Sequence, residues 1–598
     1  MKKVITFFIV LFVGVLSVQA ENTLTLCEYS DEYKAWLKLS DEEKKETVVP
    51  PICKSRKLDM DLLGNNSYAM DYFNLADSGK VTGVRDQKES GACWAFASLA
   101  SIESNLLMNN IDISFLSPAH LELMTQNSLY TPSFMTFNRD FNVGGNMYLA
   151  AAYFLNNWGP IKESDMPFQT IIDLLNVTRT ITEEDVTSKE PVASVDNILY
   201  LTNDQGICSN NSIDSIKQYI VNYGAIAAGV YFDSNYLDYV KVNDIESGDI
   251  EMGPYYYYNG STLPNHAVAI VGWDDTIDAS HFKNKPSRDG AWIVKNSYGS
   301  NKVGNEGYFY ISYDDTNICT NTVGFYNTSL DINDEAYYYD DLGANTYVEV
   351  NNDVSYLANY FVKNSQEIEK LDKVTFASGI SGLNYTVYYA KNIEGRLEDW
   401  QEIGSGVTTH DGYISVYPDK DIYVDNSYGI IVKFEPSDSV DHVILTAVES
   451  TDDDYYANYQ ITDNASRISF DGNVWQKIVL EIEENEKVDV QLAIRAYTDY
   501  YEEDSDEEII PPQEENPNDE EINSNPEVPN IDDDGTIEVE NPNGSLSDIV
   551  GDIVPSDTPT EIIENPQTGV ISGISIIIVL TIIGVVIYYK KKNKIFKI

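Results

Sequence analysis

The sequence predicts an α+β protein in which helices come first, strands follow, and a separate all-β domain comes last. Apolar residues recur with helical spacing between residues 96 and 106. From residue 225 to residue 311 the apolar segments become short and alternating, which is typical of strands. Between about residue 335 and residue 499, many short segments rich in Tyr, Val and Ile are separated by polar turns. This last pattern favours a β-sandwich.

Three helices are expected in the first half of the chain. The first has Ser90 near its N-cap and Cys93 in its first turn. The second covers Pro118 to Met124, and the third covers Asn146 to Asn156. Four strands are expected in the second half, at residues 225–230, 267–273, 292–294 and 308–311.

Cys93 would stand where a helix begins. Unpaired amide N–H groups and the positive end of the helix dipole favour a thiolate there. If a protonated histidine also lies beside Cys93, its pKa should fall well below the ~8.5 of a free cysteine, to about 3–4. The alternative is a small buried hydrophobe on a core helix, which is the role of most lone cysteines.

The residues that surround Cys93 belong to a longer pattern. Gln87 lies six positions before it, and Cys93 itself opens the sequence Cys-Trp-Ala-Phe. This signature resembles that of the papain family of cysteine peptidases. More motifs of that family follow in order, namely Leu116-Ser117-Pro118-Ala119, Gly144-Gly145-Asn146, Asn265-His266-Ala267, Lys295-Asn296-Ser297-Tyr298-Gly299 and Gly307-Tyr308-Phe309. The resemblance implies a papain-like domain at residues 71–328, with a helical lobe against a β-barrel-like lobe and the site in the cleft between them.

The resemblance also implies roles for four residues. Cys93 would be the nucleophile, His266 its base, and Asn296 the residue that orients the imidazole. Gln87 would donate to the oxyanion together with the backbone N–H of Cys93.

Three further positions are relevant to the cleft. Gly144 and Gly145 match glycines that let the backbone approach an extended substrate, although a simple turn would also explain them. Tyr298 stands where the family usually has a tryptophan that shields the Asn–His hydrogen bond, so we expect a thinner shield. Cys93 and His266 are about 170 residues apart, more than is usual, and we place the excess in loops near 125–140 and 173–210.

Four cysteines remain besides the nucleophile: Cys27, Cys53, Cys208 and Cys319. They are compatible with two disulfides in any of three connectivities. The family's usual partner cysteine before the nucleophile is Ser90 here, so that bridge is missing. No Cys/His cluster has zinc spacing and no glycine-rich phosphate loop stands out, so we expect neither a metal nor a cofactor.

The N-terminal region predicts secretion. Residues 1–20 combine Lys2 and Lys3, a short apolar core and a small-residue cleavage site, which is typical of a signal peptide. A membrane anchor is the alternative. Residues 21–70 are polar and stand where papain-like enzymes often carry a propeptide, and whether this segment is inhibitory stays open.

The β domain at residues 335–499 resembles the lectin-like domain that follows the peptidase in a subset of bacterial papain-like proteins. Its exposed aromatics could stack on a glycan, or the domain could be a packing and spacing module. Residues 500–564 are acidic and rich in Pro and Asn, which predicts a disordered stalk.

The C-terminal residues 565–598 form a pattern of three parts. The pentapeptide Asn565-Pro566-Gln567-Thr568-Gly569 precedes an apolar span at 570–589 and a lysine-rich end. It resembles the cell-wall sorting signals that sortases read in Gram-positive bacteria, with cleavage between Thr568 and Gly569. A plain C-terminal transmembrane anchor is the alternative.

A formal net charge of −57 excludes nucleic acid as a partner and suits an extracellular surface. The sequence therefore predicts a secreted, wall-anchored cysteine endopeptidase that cleaves protein or peptide substrates through a Cys–His thiolate–imidazolium pair. Two other functions stay open: a catalytically silent surface adhesin that uses the lectin-like domain, and a cell-wall peptide amidase or transpeptidase.

Overall fold

The computed structural model describes residues 23–501, with gaps at 27–28, 45–46, 48, 50–69, 127–136, 138, 202–207, 245–247, 353, 438–442, 450–461, 463 and 482–486. The predicted signal peptide, the stalk beyond residue 501, the sorting pentapeptide and the apolar span at 570–589 lie outside the described residues. Cys27, Cys53 and much of the segment at 21–70 also lie outside them.

Eleven elements lie in the described residues of the N-terminal and helical parts. They are β1 (Thr23–Leu26), α1 (Asp31–Trp36), α2 (Asp41–Lys44), β2 (Tyr72–Asn74), a 3-10 turn (Leu75–Ser78), α3 (Cys93–Met108), α4 (Pro118–Met124), α5 (Met147–Leu155), α6 (Gln169–Leu175), α7 (Glu183–Thr187) and β3 (Ser194–Leu201).

A lobe made mostly of strands follows. Its elements are α8 (Asn210–Tyr223), β4 (Ile226–Val230), a 3-10 turn (Ser234–Tyr236), β5 (Leu237–Asp244), β6 (Gly248–Tyr256), β7 (His266–Asp274), a 3-10 turn (Ala279–His281), β8 (Ala291–Lys295), β9 (Tyr308–Ser312) and β10 (Thr322–Ser329).

The remaining elements within the described ranges are strands. They are β11 (Glu335–Tyr337), β12 (Thr346–Asn351), β13 (Ser355–Val362), β14 (Glu369–Ser378), β15 (Asn384–Ile393), β16 (Arg396–Val407), β17 (Gly412–Val416), β18 (Ser427–Glu435), β19 (Val443–Glu449), β20 (Ser466–Ser469), β21 (Gln476–Lys477), β22 (Val479–Glu481), β23 (Lys487–Leu492) and β24 (Ile494–Tyr500).

The three predicted helices are confirmed as α3, α4 and α5. The Asn146 side chain caps α5 by accepting hydrogen bonds from the Tyr148 and Leu149 amides. Helix α3 begins at Cys93, in agreement with the expectation, and Ala92 holds its N-cap position without a capping side chain. The Ser90 hydroxyl instead donates to the Gln87 carbonyl at 2.8 Å, because Ser90 lies two residues too early in the loop.

The four predicted strands are confirmed as β4, β7, β8 and β9. The placement of all extra residues of 173–210 in a loop is wrong, because α7 and β3 lie there. Two polar residues, Asp196 and Asn197, interrupt the apolar pattern of β3 and hid it from sequence analysis. Both are partnered by the β domain: Asp196 pairs with Lys373 at 2.7 Å, and the Asn197 amide oxygen accepts from the Ser415 N–H. The stretch at 125–140 lies largely outside the described residues.

Helix α3 is the central element of the peptidase-like half. Leu99, Ile102 and Leu106 are completely buried on it. Two of its polar side chains bond to the strand lobe: Ser101 Oγ donates to the Ala225 carbonyl at 2.6 Å, and Asn105 Nδ2 donates to the Tyr223 carbonyl at 2.7 Å. The helix that begins at Cys93 is therefore held by both lobes.

The β domain consists of two sheets, one of which is continuous with a sheet of the peptidase-like half. One sheet has the strand order β16-β15-β18-β13-β20-β21. The other continues the sheet of the strand lobe, because β17 pairs with β3 through Tyr413 opposite Ile198 and Gly412 opposite Leu199. The described residues all belong to one compact unit that ends at Glu502.

Two other features of the fold are fixed by the described residues. Cys208 and Cys319 form a disulfide, so they pair with each other among the four candidate cysteines. None of the helices within the described ranges is long and apolar enough to cross a membrane.

Candidate active site

Cys93 is the first residue of α3, a free thiol that is 5% exposed. Burial raises its pKa to about 12, and the charge of Glu122 acts in the same direction. Hydrogen bonds from the backbone amides of Ala267, Trp94 and Cys93 itself act in the opposite direction but are weaker than the burial effect. The low pKa expected for Cys93 beside a protonated His266 is not found, because the buried imidazole is uncharged and a lone thiolate would lose its hydration here.

His266 begins β7 and lies opposite Val230 of β4, so a buried strand pair fixes its backbone. Its side chain is 2% exposed, and burial lowers its pKa to about 4. Nε2 lies 2.9 Å from Oδ1 of Asn296. An amide oxygen only accepts, so Nε2 donates and Nδ1 of the neutral ring keeps its lone pair.

Asn296 follows β8 directly. Its backbone N–H donates to the Gly307 carbonyl at 3.0 Å, and its Oδ1 also accepts from the Ser297 N–H at 2.8 Å. The amide oxygen is thus held in place by the loop as well as by the imidazole. A cavity of about 20 Å³ lies beside it, lined also by Ala267 of β7 and Ala97 of α3.

Tyr298 covers the imidazole. The two rings stack with centroids 4.6 Å apart and planes 23° apart. The hydroxyl oxygen of Tyr298 lies 3.2 Å from Nδ1 of His266. Phe232 packs against both rings, at 5.6 Å from the imidazole and 5.8 Å from the phenol. The shield over the Asn–His bond therefore carries a hydroxyl, and the sequence did not indicate that this hydroxyl lies on Nδ1 of His266.

Gln87 is anchored on both sides of its amide. Its Nε2 donates to the Ser90 carbonyl at 2.8 Å, and its Oε1 accepts from the Ser297 hydroxyl at 2.6 Å. Its backbone N–H also donates to the Ser297 carbonyl at 2.7 Å. Because a primary amide has two N–H bonds, one of them remains for another acceptor in the cleft.

The glycine pair lies beside the nucleophile helix. A Cβ at Gly145 would be only 2.4 Å from the Trp94 ring, so packing alone requires a glycine there. A Cβ at Gly91 would be 3.1 Å from the backbone N of Gly144. The loop that carries Gly144 and Gly145 therefore touches the residues on either side of Cys93.

A buried ion pair ties this loop to α4, and sequence reasoning missed it. Arg139 Nη2 lies 2.9 Å from Oε2 of Glu122, and neither side chain is more than 1% exposed. The same guanidinium donates to the Val143 carbonyl and lies over the Trp94 ring at 5.1 Å. Glu122, the acidic residue of the buried helix α4, was the available signal.

A second buried network ties the nucleophile loop to both lobes. Arg85 pairs with Glu103 of α3 at 3.1 Å, and the Glu103 carboxylate also accepts from the Thr82 hydroxyl. Lys295, the residue before Asn296, donates to the same Thr82 hydroxyl at 2.9 Å. The network thus connects residues close to Gln87 and Asn296 with α3, the helix that begins at Cys93. Glu103 on the buried face of α3 was the only sequence signal for it.

Three other histidines are described, and they have other partners. His281 packs against Tyr255 with ring centroids 5.2 Å apart. His120 contacts the Tyr153 hydroxyl and the Val186 carbonyl, and His410 contacts the Ile198 and Tyr413 carbonyls. Within the described ranges there is no group of three or more His, Cys, Asp or Glu residues that could hold a metal ion.

The arrangement combines a thiol at a helix start, an imidazole fixed by an amide oxygen, and an anchored amide donor. Such a set can transfer a proton from sulfur to nitrogen and polarise a carbonyl, which is the chemistry of a cysteine hydrolase.

The comparisons with known proteins identify both parts of the chain. Residues 69–327 match the papain family cysteine protease domain, and residues 336–498 match the lectin like domain. The chain therefore carries a papain-family cysteine protease domain followed by a lectin-like domain, and the enzyme is a hydrolase of the cysteine peptidase type. The predicted α+β fold class is confirmed.

Two curated relatives and one solved structure illustrate the likeness. Cathepsin Q of Rattus norvegicus is 26% identical over 312 residues, which are 50% of this chain and 78% of that protein. Cysteine proteinase EP-B 1 of Hordeum vulgare is 26% identical over 236 residues, which are 40% of this chain and 52% of that protein. The cysteine protease and lectin-like domains of Cwp84, a surface layer associated protein of Clostridium difficile, give a TM-score of 0.63 at 23% identity. That match covers 80% of this chain and 98% of the other, and it concerns the fold.

Proposed function

We propose that this protein is a secreted, surface-anchored cysteine endopeptidase that hydrolyses peptide bonds with Cys93, His266 and Asn296. The observation that carries the proposal is the 2.9 Å hydrogen bond between His266 Nε2 and Asn296 Oδ1, together with the free thiol of Cys93, which accepts from the backbone N–H of Ala267, the residue after His266. Since that bond keeps the proton on Nε2, the lone pair of Nδ1 is the one available to the thiol.

Proton transfer from Cys93 to His266 creates both charges in one step. Each charge alone is disfavoured by burial, which explains why the thiol pKa is raised and the imidazole pKa is lowered. Created together, the thiolate and the imidazolium stabilise each other, and the net charge of the site does not change. The helix N-terminus favours the thiolate further.

The thiolate then attacks the carbonyl carbon of the substrate. The C–S bond forms, and the carbonyl electron pair moves to oxygen, where the Cys93 backbone N–H and the remaining Gln87 N–H donate to it. His266 gives its proton to the leaving amine as the C–N bond breaks, which leaves a thioester. Water, deprotonated by His266, hydrolyses the thioester and restores the thiol.

The loop with Gly144 and Gly145 would bind the substrate backbone beside this centre. Its position against Gly91 and Trp94 supports that role, because a chain lying along the loop would reach the sulfur. The packing of Gly145 on Trp94 is a structural role that does not exclude substrate contact.

The N-terminal segment would keep the enzyme latent. Its helix α1 buries Tyr33 and Trp36 in the core of the helical lobe, and the Glu32 side chain lies against that of Thr320. Strand β1 pairs antiparallel with β12 of the β domain. The segment is thus held by both domains, and the buried thiol is consistent with a covered cleft.

Secretion and anchoring are proposed from residues that lie, except for Tyr500 and Tyr501, outside the described part of the chain. Residues 1–20 would direct export, the acidic segment at 500–564 would form a stalk, and a sortase would join Thr568 to the cell wall. Detergent should then fail to release the mature protein, whereas wall-digesting enzymes should release it. Release by detergent with Lys590 still present would indicate a plain membrane anchor instead.

A glycan is proposed as a partner of the lectin-like domain. The outer face of its six-stranded sheet carries Trp400 with its ring 5.9 Å from Tyr356, 5.5 Å from Tyr388 and 6.2 Å from Trp475. Half-buried aromatic rings of this kind can stack on sugar rings. Binding of purified wall polysaccharide that is lost in Trp400→Ala would support the proposal, and equal binding by both proteins would contradict it.

The peptidase proposal is tested with the secreted protein on a protein digest and on purified cell-wall peptides, with Cys93→Ala as the control. We expect cleavage of the protein substrate that Cys93→Ala abolishes. Cleavage of wall peptides alone would indicate an amidase or transpeptidase. Activity toward neither substrate, with glycan binding retained, would indicate an adhesin.

A further inference from the structure

The hydroxyl of Tyr298 lies on the nitrogen that must receive the proton of Cys93. Its oxygen is 3.2 Å from Nδ1 of His266, with the phenol stacked on the imidazole at 4.6 Å. The tryptophan that usually holds this position in papain-like enzymes has no hydroxyl. The contact therefore depends on the tyrosine of this chain, and the resemblance to the papain family does not imply it.

The direction of this hydrogen bond follows from the rest of the site. Asn296 Oδ1 accepts from Nε2, so Nδ1 of the neutral ring is an acceptor and the Tyr298 hydroxyl is the donor. Burial and the nearby Cys93 both raise the pKa of the Tyr298 hydroxyl, so it stays protonated and able to donate. The bond exists only while Nδ1 has no proton of its own.

Within the described ranges, few charged or titratable groups lie around His266, so few of them offer another reason for its neutral form. Cys93 comes from α3, Glu122 acts on Cys93 from α4, and Tyr298 follows β8. Asn296 is the other polar side chain bonded to the imidazole, and it is neutral. On the remaining side lies Phe232, which is apolar, with Tyr256 stacked on it 5.5 Å away.

We propose that Tyr298 is a positioning residue that holds His266 in its neutral form, and that its hydroxyl must leave Nδ1 before Cys93 can transfer its proton. This inference rests on the proposed peptidase function. The exchange is balanced: the O–H···Nδ1 bond breaks, the S–H bond breaks, and the sulfur proton forms the new N–H bond. The hydroxyl keeps its own proton throughout. Tyr298 thus favours a resting, uncharged site and opposes the ion pair.

Removal of the hydroxyl should make the ion pair easier to form. A net hydrogen bond contributes about 0.5–1.5 kcal/mol, so Tyr298→Phe should raise the alkylation rate of Cys93 at pH 5.5 by about two- to tenfold. The midpoint of the rate-against-pH curve should move to lower pH. Tyr298→Trp also lacks the hydroxyl and should shift the curve in the same direction.

The measurement uses the full chain with iodoacetamide, which is small and uncharged, and follows the Cys93 peptide by mass spectrometry between pH 4 and pH 9. The matched control is Tyr219→Phe, which removes another buried hydroxyl that donates to the Phe325 carbonyl at 3.0 Å. That variant should leave the curve unchanged. A merely structural role of Tyr298 would lower the plateau of the curve and leave its midpoint in place.

The outcomes separate this inference from the proposed function. A midpoint that is unchanged or higher in Tyr298→Phe overturns the inference, while an active unmutated enzyme leaves the peptidase proposal standing. If Tyr298→Phe does not fold, the midpoint of the curve for Tyr298→Trp tests the inference in the same way. Absence of both cleavage and Cys93 alkylation in the unmutated protein overturns the peptidase proposal itself.

Discussion

Asn296 Oδ1 accepts two hydrogen bonds at once, from His266 Nε2 at 2.9 Å and from the Ser297 N–H at 2.8 Å. The second bond lies within the loop itself, so the loop orients the oxygen independently of the imidazole. This pre-orientation fixes the tautomer and the plane of the imidazole, on which the proposed chemistry depends.

Substitution of Asn296 by Ala should impair turnover more than thiol reactivity. The imidazole would be free to rotate, and a misplaced catalytic group can cost about 10²-fold in kcat. Alkylation of Cys93 should fall less, because it needs no proton transfer to a leaving amine. Measured kcat and alkylation rates would show this, with Asn333→Ala as a buried control remote from the site. An equal loss of both rates would mean that Asn296 acts mainly on the thiol.

Substitution of Gln87 by Ala should lower kcat by roughly 10²–10³, the usual effect of removing one oxyanion donor. The alkylation rate should stay close to that of the unmutated enzyme, because alkylation forms no oxyanion. Gln218→Ala, another largely buried glutamine, is the control for general effects on folding. A Gln87→Ala enzyme with unchanged kcat would remove Gln87 from the proposed oxyanion site.

The Arg139–Glu122 pair should stabilise the substrate loop. Arg139→Met leaves a buried carboxylate without its cation, which costs about 3–5 kcal/mol of unfolding free energy. The double variant with Glu122→Leu should recover most of that stability, because it removes the unpaired charge. Both variants free the Val143 carbonyl, so KM for a peptide should rise in each. Arg396→Met, at an exposed position, is the control; unchanged KM in the double variant would contradict the role of the pair.

Protonation of His410 at acid pH should weaken the junction between the two domains. Burial lowers its pKa to about 4, whereas the unfolded chain has about 6.5. Between these values the unfolded state binds more protons, so the stability is present above pH 6.5 and is lost as the pH falls toward 4. The loss of stability that His410 causes amounts to roughly 3 kcal/mol at pH 4, relative to pH values above 6.5.

Thermal unfolding of the unmutated protein and His410→Gln between pH 7 and pH 4 would test this. The unmutated protein should lose more stability with acid than the variant does. His120 and His266 have pKa values lowered in the same way and remain in both proteins, so their effect cancels in the comparison. Parallel curves would show that His410 does not titrate at the junction.

Loosening of the N-terminal segment should activate the enzyme. Trp36 is 1% exposed, and its replacement by Ala should cost α1 about 3–5 kcal/mol of packing. We expect faster peptide cleavage in Trp36→Ala and in protein trimmed near residue 70. Leu37→Ala changes an exposed neighbour and should behave like the unmutated chain. Equal activity in all four proteins would mean that the segment does not inhibit.

The sequence alone determined the class of fold and the identity of the candidate site residues. Helices α3, α4 and α5 and strands β4, β7, β8 and β9 were predicted because their apolar periodicity and capping residues are local properties. The spacing of Gln87 to Cys93 and the Asn-His and Asn-Ser motifs were equally local. Such signals can be read along the chain without knowledge of what packs against them.

The tertiary structure alone decided how these residues are used. Strand β3 was missed because Asp196 and Asn197 become acceptable in a strand only through partners in the β domain. The pairing of Arg139 with Glu122 and the raised pKa of Cys93 both depend on burial, which only the packed core creates. The same holds for the Tyr298 hydroxyl, since a tyrosine in the sequence says nothing of the nitrogen on which it lies. Desolvation and long-range pairing are properties of the assembled fold, so no local pattern encodes them.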